Sequence, residues 1–592
     1  MKTCNQNFML DYSVSVSPLG EIEGFPVRPG LFDVFGAMPL PSGVNFTIHT
    51  HGGTSCELLL FRKGAEEPYA VLPFPEEYKI GDVYSMMVFG LEVEEFEYAY
   101  RIDGPYDPEK GLLFDKKNIL LDPYARAVTG QGTWGSQSQE HYHARVVKDV
   151  FDWGTMPQSK KELNELVIYE LHVRGFTKHP SSGVRQKGTF AGLKEKIPYL
   201  KELGINGIYL NPIMEAESNH KYDTTDYEKI DPAFGDEKEF TFLVKEAHDH
   251  GIRVMVDAVF NHCGPKFAPW LDVQEKGQAS EYADWFMIND WSDLKKKADT
   301  RDGRFYSFAF ADGMPKLNTN NEKVQEYFCN LCESWIRDYD IDGIRFDVGN
   351  EISHSFLKKM RERVKRLKPD IYLLGEIWHD ASQWLMGDEY DSVMNYPLMS
   401  GIHDFFIDKK MTKQDFEYTV NHCYTMYMQQ CNNVLFNLLD SHDTERLMNR
   451  FHNLDMFYQQ LAVLFTMPGS PCIYYGTEIA MEGGHDPDCR RCMPWQELDS
   501  EENRRRIAEM KKLISLRKQE PSFRSLHFHF PGTYQEKRCV EYIKLDEQNH
   551  KTEVLLNCSE DCIKVEKQGE ILFARGYVNG NLAKNGTLIR RI

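Results

Sequence analysis

The sequence has no apolar stretch approaching the roughly 20 residues of a membrane-spanning helix. Its opening segment, MKTCNQNFMLDYS, has no apolar run of secretory-signal length. Basic residues are in the minority: 69 Lys and Arg face 90 Asp and Glu, for a formal charge of -21. A nucleic acid or an anionic membrane surface calls for a basic face, so neither is expected as a partner. Nor is there a disulfide framework. The 13 cysteines are odd in number and scattered through apparent strands and helices, which suits reduced thiols in a cytoplasm. Two CxxC pairs occur, Cys329/Cys332 and Cys489/Cys492. They are far apart and lack suitably placed histidines, so no zinc site is expected. The first pair lies in the helix-like stretch EKVQEYFCNLCESWIRDY, where packing accounts for it. Internal repeats and low-complexity tracts are absent as well.

What the chain has is ample core. It is 41% hydrophobic and 13% aromatic, at a length of 592 residues that suits several domains. Residues 1–150 read as a β-sandwich. VNFTIHTH and CELLLFRKG are strand-like, FEYAYRIDGPYDP alternates aromatic with polar residues, and turn signals recur at sandwich spacing. WGTMPQSKKELNE, residues 153–165, reads as a linker. Residues 160–515 then alternate short apolar strands with charged helices, the pattern of βα units. Strand ends are expected near Leu171, Leu210, Asp257, Asp347, Glu376, Asn395, Leu439 and Tyr475. Eight such strands predict an α/β fold of the (β/α)₈ type. Residues 264–318, rich in Trp, Phe, Asp and Lys, interrupt it after the third strand, and residues 516–592 read as a second, smaller β-sandwich.

Three acidic residues close three of these apolar runs: Asp347 in IDGIRFD, Glu376 in IYLLGE and Asp443 in FNLLDSHD. In a (β/α)₈ barrel the C-terminal strand ends converge on one face, and carboxylates paired there suit glycosidic-bond cleavage. Arg345 stands two residues before Asp347, hence on the same strand face, and is expected to hold it ionised as a nucleophile must be. Apolar residues before Glu376 and Trp378 after it are expected to keep that carboxyl protonated for use as an acid. The third strand supplies Asp257, Asn261 and His262, and His442 precedes Asp443. Taken singly, each residue has a plainer reading as a helix cap, an ion-pair partner or a core residue; in this order along successive strands they form a pattern.

That pattern, DxxxNH, RxD, E and HD, resembles the four sequence regions of the α-amylase family of glycoside hydrolases. NPIMEAESNHKYDTTDYEKIDPAFG, MPKLN, GEIWHDASQWLMGDEYDSVMNYPL and FTMPGSPCIYYGTEIAMEGGHDPDCRRCMPW are similar to the neopullulanase, cyclomaltodextrinase and maltogenic-amylase branch. The resemblance implies Asp347 as nucleophile, Glu376 as acid/base and Asp443 as transition-state stabiliser. It implies that His262, Arg345 and His442 contact the sugar at the cleavage site and that Tyr222 stacks beneath it, where the residues alone would favour a core tyrosine. Asp486 and Arg490 would bind the next glucose toward the non-reducing side, and Glu351 and Trp378 would line the acceptor side. Glu351 has a second reading as a cap on the following helix, favoured by the helix dipole.

The departures from the branch are informative. Its VANE tetrad reads Val348-Gly349-Asn350-Glu351 here, and FEYAYRIDGPYDPEKGLLFDKKNILLDPYAR resembles the N-terminal sandwich of isoamylases and glycogen-debranching enzymes instead. Because the branch dimerises largely through its own N-domain, a homodimer is left open. Glu351 replaces a histidine that helps bind calcium in many α-amylases, and RGFTKHPSSG replaces an Asn/Asp-rich calcium loop, so no metal and no cofactor are expected. The expectation is a cytoplasmic, retaining hydrolase of α-1,4-glucans: maltooligosaccharides, cyclodextrins, pullulan or starch fragments. The N-domain favours α-1,6 debranching as the alternative, and a catalytically inactive binding subunit is the remote one.

Overall fold

A computed structural model describes residues 16–130, 142–147, 163–534, 537–565 and 569–592. The opening segment lies outside these residues, as does the expected linker up to position 162. The chain divides into two compact units, Met1–Gly154 and Thr155–Ile592.

The first unit packs a six-stranded antiparallel sheet against a five-stranded one. VNFTIHTH gives strand Gly43–His49 in one sheet, while CELLLFRKG and FEYAYRID give Ser55–Arg62 and Phe96–Asp103 in the other. Their alternate residues meet between the sheets: Val44, Phe46 and Ile48 from the first, Leu58, Leu60, Tyr98 and Tyr100 from the second. This is the inward-facing half of a period-two pattern.

The second unit is built on eight parallel strands: β1 (Ile168–Leu171), β2 (Gly207–Leu210), β3 (Arg253–Ala258), β4 (Gly343–Phe346), β5 (Tyr372–Gly375), β6 (Ser392–Val393), β7 (Phe436–Asn437) and β8 (Ser470–Tyr474). The sheet runs β6-β5-β4-β3-β2-β1-β8-β7, and a parallel bridge between Met394 and Phe436 joins its two ends into a barrel. Each strand is nearly all apolar because both of its faces are buried. Residues of one parity (Tyr169, Ile208, Val256, Ile344, Leu373) face the surrounding helices. Those of the other parity (Ile168, Tyr209, Met255, Tyr372, Leu374) fill the barrel's interior. The charged residues near the C-terminal ends share the inward parity: Glu170 follows Ile168 by two, Asp257 follows Met255, and Glu376 follows Leu374. Register therefore delivers a ring of polar groups to one mouth of the barrel.

Residues 264–318 extend from β3 around helix Ala268–Lys276, with Trp270 held between Phe286 and Phe305 at 4.9 Å from each ring centre. Cys329 and Cys332 are buried on helix Glu322–Tyr339, as packing residues. After helix Glu501–Gln519 the chain forms a six-stranded antiparallel sheet that branches at its long last strand, Asn581–Arg591. One face of this sheet presents Val540, Tyr542, Val554 and Ile589 to the same apolar core as the barrel helices. That shared core explains why the barrel and the C-terminal sheet form one compact unit.

Arg517 ties this junction together. It has almost no exposed surface, and its guanidinium donates to the carbonyls of Met467 (2.7 Å), Phe523 (2.5 Å) and Gly469. Gly469 turns the chain into β8 at φ +108, and a Cβ there would meet the Leu435 carbonyl at 2.4 Å. Arg517→Met keeps the apolar stem but strands these carbonyls, so it should lower unfolding stability by about 3 kcal/mol or more. Urea denaturation checks this; a loss below about 1 kcal/mol, the range of ordinary surface changes, would mean that water replaces the guanidinium.

Candidate active site

At the C-terminal mouth of the barrel is a cleft of about 450 Å³. Eight of the eleven residues expected at the site line it: Tyr222, His262, Asp347, Glu376, Trp378, Asp443, Asp486 and Arg490. Arg345 and His442 lie directly beneath, both buried. Glu351 stands aside, with its carboxylate turned to Lys316.

Arg345 has 0% exposure. Its Nη1 donates to both carboxylate oxygens of Asp257 at 3.0 Å and to Asp347 Oδ1 at 2.9 Å, and its Nη2 lies 2.9 Å from Glu376 Oε2. One guanidinium thus serves three carboxylates. This corrects the expectation that Arg345 holds Asp347 ionised. Burial is the largest influence on Asp347 and pushes its carboxyl well above the ordinary range; Arg345 pulls down, but Glu376, Asp257 and Asp443 add to the rise. Asp257 is raised by burial too, although Arg345 and the hydroxyls of Tyr209 (2.5 Å) and Tyr222 (3.0 Å) favour its charge. Asp347 and Asp257 therefore resist ionisation as members of one interacting group.

Glu376 has polar company rather than the apolar walls expected around it. The Val348 backbone N–H donates to its Oε2 at 2.9 Å and the Trp378 indole N–H to its Oε1 at 3.0 Å. Val348 achieves this at φ 47, ψ 47, a left-handed conformation that a β-branched residue adopts only under constraint. The next residue explains the departure from VANE. A Cβ on Gly349 would sit 2.9 Å from the Tyr390 hydroxyl, which donates to the Gly349 carbonyl at 3.0 Å. Trp378 is 48% exposed and stacks on Tyr396 at 3.7 Å and 8°, so it is a fixed aromatic wall.

Across the cleft, His442 Nδ1 is 2.5 Å from Glu170 Oε1, and its Nε2 is 3.0 Å from Asp443 Oδ2. Burial works against a charged ring, but Asp443 and Glu170 outweigh it and raise His442 to about 10. Burial also opposes the charge on Asp443; the imidazolium of His442 overcomes it and holds that carboxyl well below the usual range. Arg490 reaches Asp443 Oδ1 at 3.3 Å and Asp486 Oδ1 at 2.9 Å. His262, lowered to about 3 by burial, is a neutral ring whose Nε2 contacts the Tyr222 carbonyl at 3.0 Å. Tyr222 is only partly buried and stacks on His442 at 5.4 Å and 9°, so it is a cleft residue rather than a core one.

Glu351 is not a helix cap. Ser353 is the N-terminal residue of helix His354–Leu367, while Glu351 Oε2 accepts from Lys316 Nζ at 2.6 Å. Lys316 also donates to Asn261 Oδ1, so it joins the 264–318 segment to the end of β3 and to the loop after β4. Sequence reasoning missed Glu170, Asn211, Lys316, His220, Phe308 and Met314. Glu170 had a signal, as a charge in the otherwise apolar run VIYEL; Phe308 and Met314 come from an aperiodic loop and had none. Among the described residues no group of three or more His, Cys, Asp or Glu side chains could hold a metal ion, and no helix is long and apolar enough to cross a membrane.

The cleft's residues coincide with family-level similarity. The chain matches the alpha amylase catalytic domain over residues 173–525 and carbohydrate-binding module 48, the isoamylase N-terminal domain, over residues 34–125. It is similar to a cyclomaltodextrinase of Geobacillus thermopakistaniensis (strain MAS1), 45% identical over 380 residues that span 64% of this chain and 63% of that relative's length. It is also similar to neopullulanase 2 of Thermoactinomyces vulgaris, 40% identical over 425 residues, 67% of this chain and 71% of the relative. The solved structure of a cyclomaltodextrinase superposes with a TM-score of 0.65 at 28% identity, covering 96% of this chain and 97% of that one. With a catalytic-domain match over more than half of its length, the chain belongs to the α-amylase family of glycoside hydrolases.

Proposed function

We propose that the protein is a retaining hydrolase of α-1,4-glucosidic bonds, acting on maltooligosaccharides, cyclodextrins, pullulan or starch fragments. The observation that carries this reading is the pair Asp347 and Glu376, each 2.9 Å from one nitrogen of the same buried guanidinium in an open cleft. A shared guanidinium favours the short carboxyl separation, about 5 Å, of a retaining enzyme over the wider gap of an inverting one. In this reading Glu376 acts as the acid when substrate is bound. Glu376 gives its proton to the glycosidic oxygen while Asp347 attacks the anomeric carbon. Water then gives a proton back to Glu376 and displaces the sugar from Asp347. Asp443, kept anionic by His442, faces the positive charge that develops at the anomeric centre. A sugar hydroxyl in place of water gives transfer. Tyr222 stacks beneath the sugar, Asp486 and Arg490 hold its neighbour, and Trp378 walls the acceptor side. The free cysteines of the described residues support a cytoplasmic setting.

The debranching alternative rests on the isoamylase-type match over residues 34–125. An inactive binding subunit is disfavoured by the complete set Asp347, Glu376 and Asp443 in one cleft. Digestion of pullulan separates all three: panose is the expected product, maltotriose would mean α-1,6 cleavage, and no product would mean a binding protein.

Glu376→Gln should slow maltotriose turnover by roughly 100-fold or more, the usual worth of a general acid, and an activated aryl maltoside far less, because a good leaving group needs no proton. Equal losses on both substrates would remove Glu376 from the acid's role. Glu351→Gln should change the ratio of transfer to hydrolysis on maltotriose. Its ion pair with Lys316 is half-exposed on the Glu351 side and contributes at most about 1 kcal/mol, so the melting temperature should hardly move. A lowered melting temperature with an unchanged ratio would make Glu351 structural.

A further inference from the structure

Glu170 is a fully buried carboxylate at the cleft's underside for which neither the proposed chemistry nor the sequence motifs account. It sits on β1 with inward parity and 0% exposure. Its Oε1 is 2.5 Å from His442 Nδ1, and accepts from the His442 backbone N–H at 3.2 Å and from Asn211 Nδ2 at 3.2 Å. Its Oε2 is buried without a hydrogen-bond partner. A carboxylate placed in this way is costly unless its charge is used.

The hydrogen-bond directions around His442 are determined by their partners. An ionised carboxylate only accepts, so Glu170 Oε1 takes the bond from Asn211 Nδ2 and, at 2.5 Å, the bond from the imidazole Nδ1; Asn211 Nδ2 also lies 3.2 Å from that Nδ1. On the other side, Tyr222 gives its hydroxyl proton to Asp257 Oδ2 at 3.0 Å, which leaves its oxygen to accept from His442 Nε2 at 2.5 Å. Asp443 Oδ2, 3.0 Å from the same nitrogen, also only accepts. With both carboxylates ionised, each ring nitrogen has an acceptor to donate to, which is the arrangement of an imidazolium.

We propose that Glu170 is a positioning residue that keeps His442 doubly protonated, so that a fixed cation holds the Asp443 carboxylate in place and ionised beneath the cleavage site. The proposal rests on the hydrolase reading above, and extends it to a group on the first strand that does not touch substrate. The other charged groups around the ring would not suffice. Arg490, whose Nε donates to the His442 carbonyl at 2.9 Å, is itself a cation, and the nearby His172 is kept neutral by burial, which lowers it to about 4. Asp257 faces Arg345 and the two tyrosine hydroxyls instead. Asp440, on the same segment, is raised to about 6 by burial and accepts from Leu447 N and Thr477 Oγ1 rather than from the ring. Glu170 and Asp443 remain, and together they account for the raised His442.

The sign follows directly. A histidine raised by its partners is charged below its folded value and loses its proton as pH rises through it. With Glu170 present, the charge persists to about 10. Without it, the ring should titrate nearer the ordinary value of about 6.5.

The test uses the full chain with Glu170→Gln and Glu170→Asp, each checked for native melting. In wild type, a downfield imidazole N–H proton resonance, assigned by its disappearance in His442→Gln, should persist unchanged from pH 6 to pH 9. In Glu170→Gln the resonance should titrate within that range, and the alkaline limb of kcat/KM on maltotriose should move toward acid by at least about one pH unit. Glu170→Asp, which keeps the charge, should restore the wild-type limb even if kcat stays low. A wild-type ring that titrates below pH 8, or a Glu170→Gln loss that is uniform across pH, would overturn the proposal and leave Glu170 a packing residue. Should the variants fail to fold, the wild-type resonance alone decides. That resonance needs no substrate, so it stands apart from the α-glucan reading, which would fail separately if wild type cleaved none of these sugars.

Discussion

The barrel mouth depends on Arg345, a guanidinium without exposed surface that meets Asp257, Asp347 and Glu376. Withdrawing a cation from water costs several kcal/mol, repaid only where opposite charges meet it with good geometry. Three carboxylates from β3, the end of β4 and the end of β5 provide that. The converse also holds: one cation cannot neutralise three anions, so burial keeps Asp347 and Asp257 above the ordinary carboxyl range. Burial decides the direction for Asp347, and a simple nucleophile–arginine pair does not describe the site. Carboxyls that resist full ionisation together suit a reaction that needs one as an acid and its neighbour as a base.

The second cation, His442, is separated from the first by Tyr222. The tyrosine hydroxyl donates to Asp257, on the Arg345 side, and accepts from the imidazolium, on the Asp443 side. The path Asp443–His442–Tyr222–Asp257–Arg345–Asp347 is therefore a continuous run of polar contacts, with His442 and Arg345 as its donors and Asp443, Asp257 and Asp347 as its acceptors. Tyr222 thus has two functions in one position. Its ring presents a flat surface to the cleft, while its hydroxyl fixes the tautomer of one cluster and favours the charge of the other. A core tyrosine would need only the second.

Much of this was legible from period and parity. The eight short apolar runs end within a residue or two of the strand ends expected from sequence, because parallel strands buried on both faces leave little freedom in composition. Arg345 and Asp347 could be assigned to one face from their spacing alone. What escaped was of two kinds. Glu170, Asn211 and Lys316 work through other side chains, and nothing local distinguishes such a residue from an ion-pair partner or a cap. Phe308 and Met314 lie on the 264–318 segment, which has no periodicity to read. The error over Asp347 was of another type. Sequence showed the arginine beside it but not the two further carboxylates that the barrel brings to the same guanidinium. Glu351, equally at home as a cap on paper, is claimed by Lys316 from a segment 35 residues earlier.

This division between register and loop separates the invariant part of the chemistry from the adjustable part. Residues of inward parity on β1, β3, β4 and β5 cannot move without unpairing strands, since a one-residue slip would send each charge into the apolar layer beneath the helices. Glu170, Asp257, Arg345 and Glu376 are therefore fixed by the fold. Trp378, Phe308, Met314, Asp486 and Arg490 come from loops that end or interrupt the strands, and they line the same cleft. Gly349 lies at the junction. It directly follows Val348, whose left-handed backbone delivers an N–H to Glu376, and it has room for no side chain because Tyr390, just before β6, occupies the space. The exchange of alanine for glycine in this tetrad thus follows from how β4 and the chain ahead of β6 pack behind the acid. The neighbouring Asn350 lines the cleft, while the Glu351 carboxylate is held by Lys316 from the 264–318 segment.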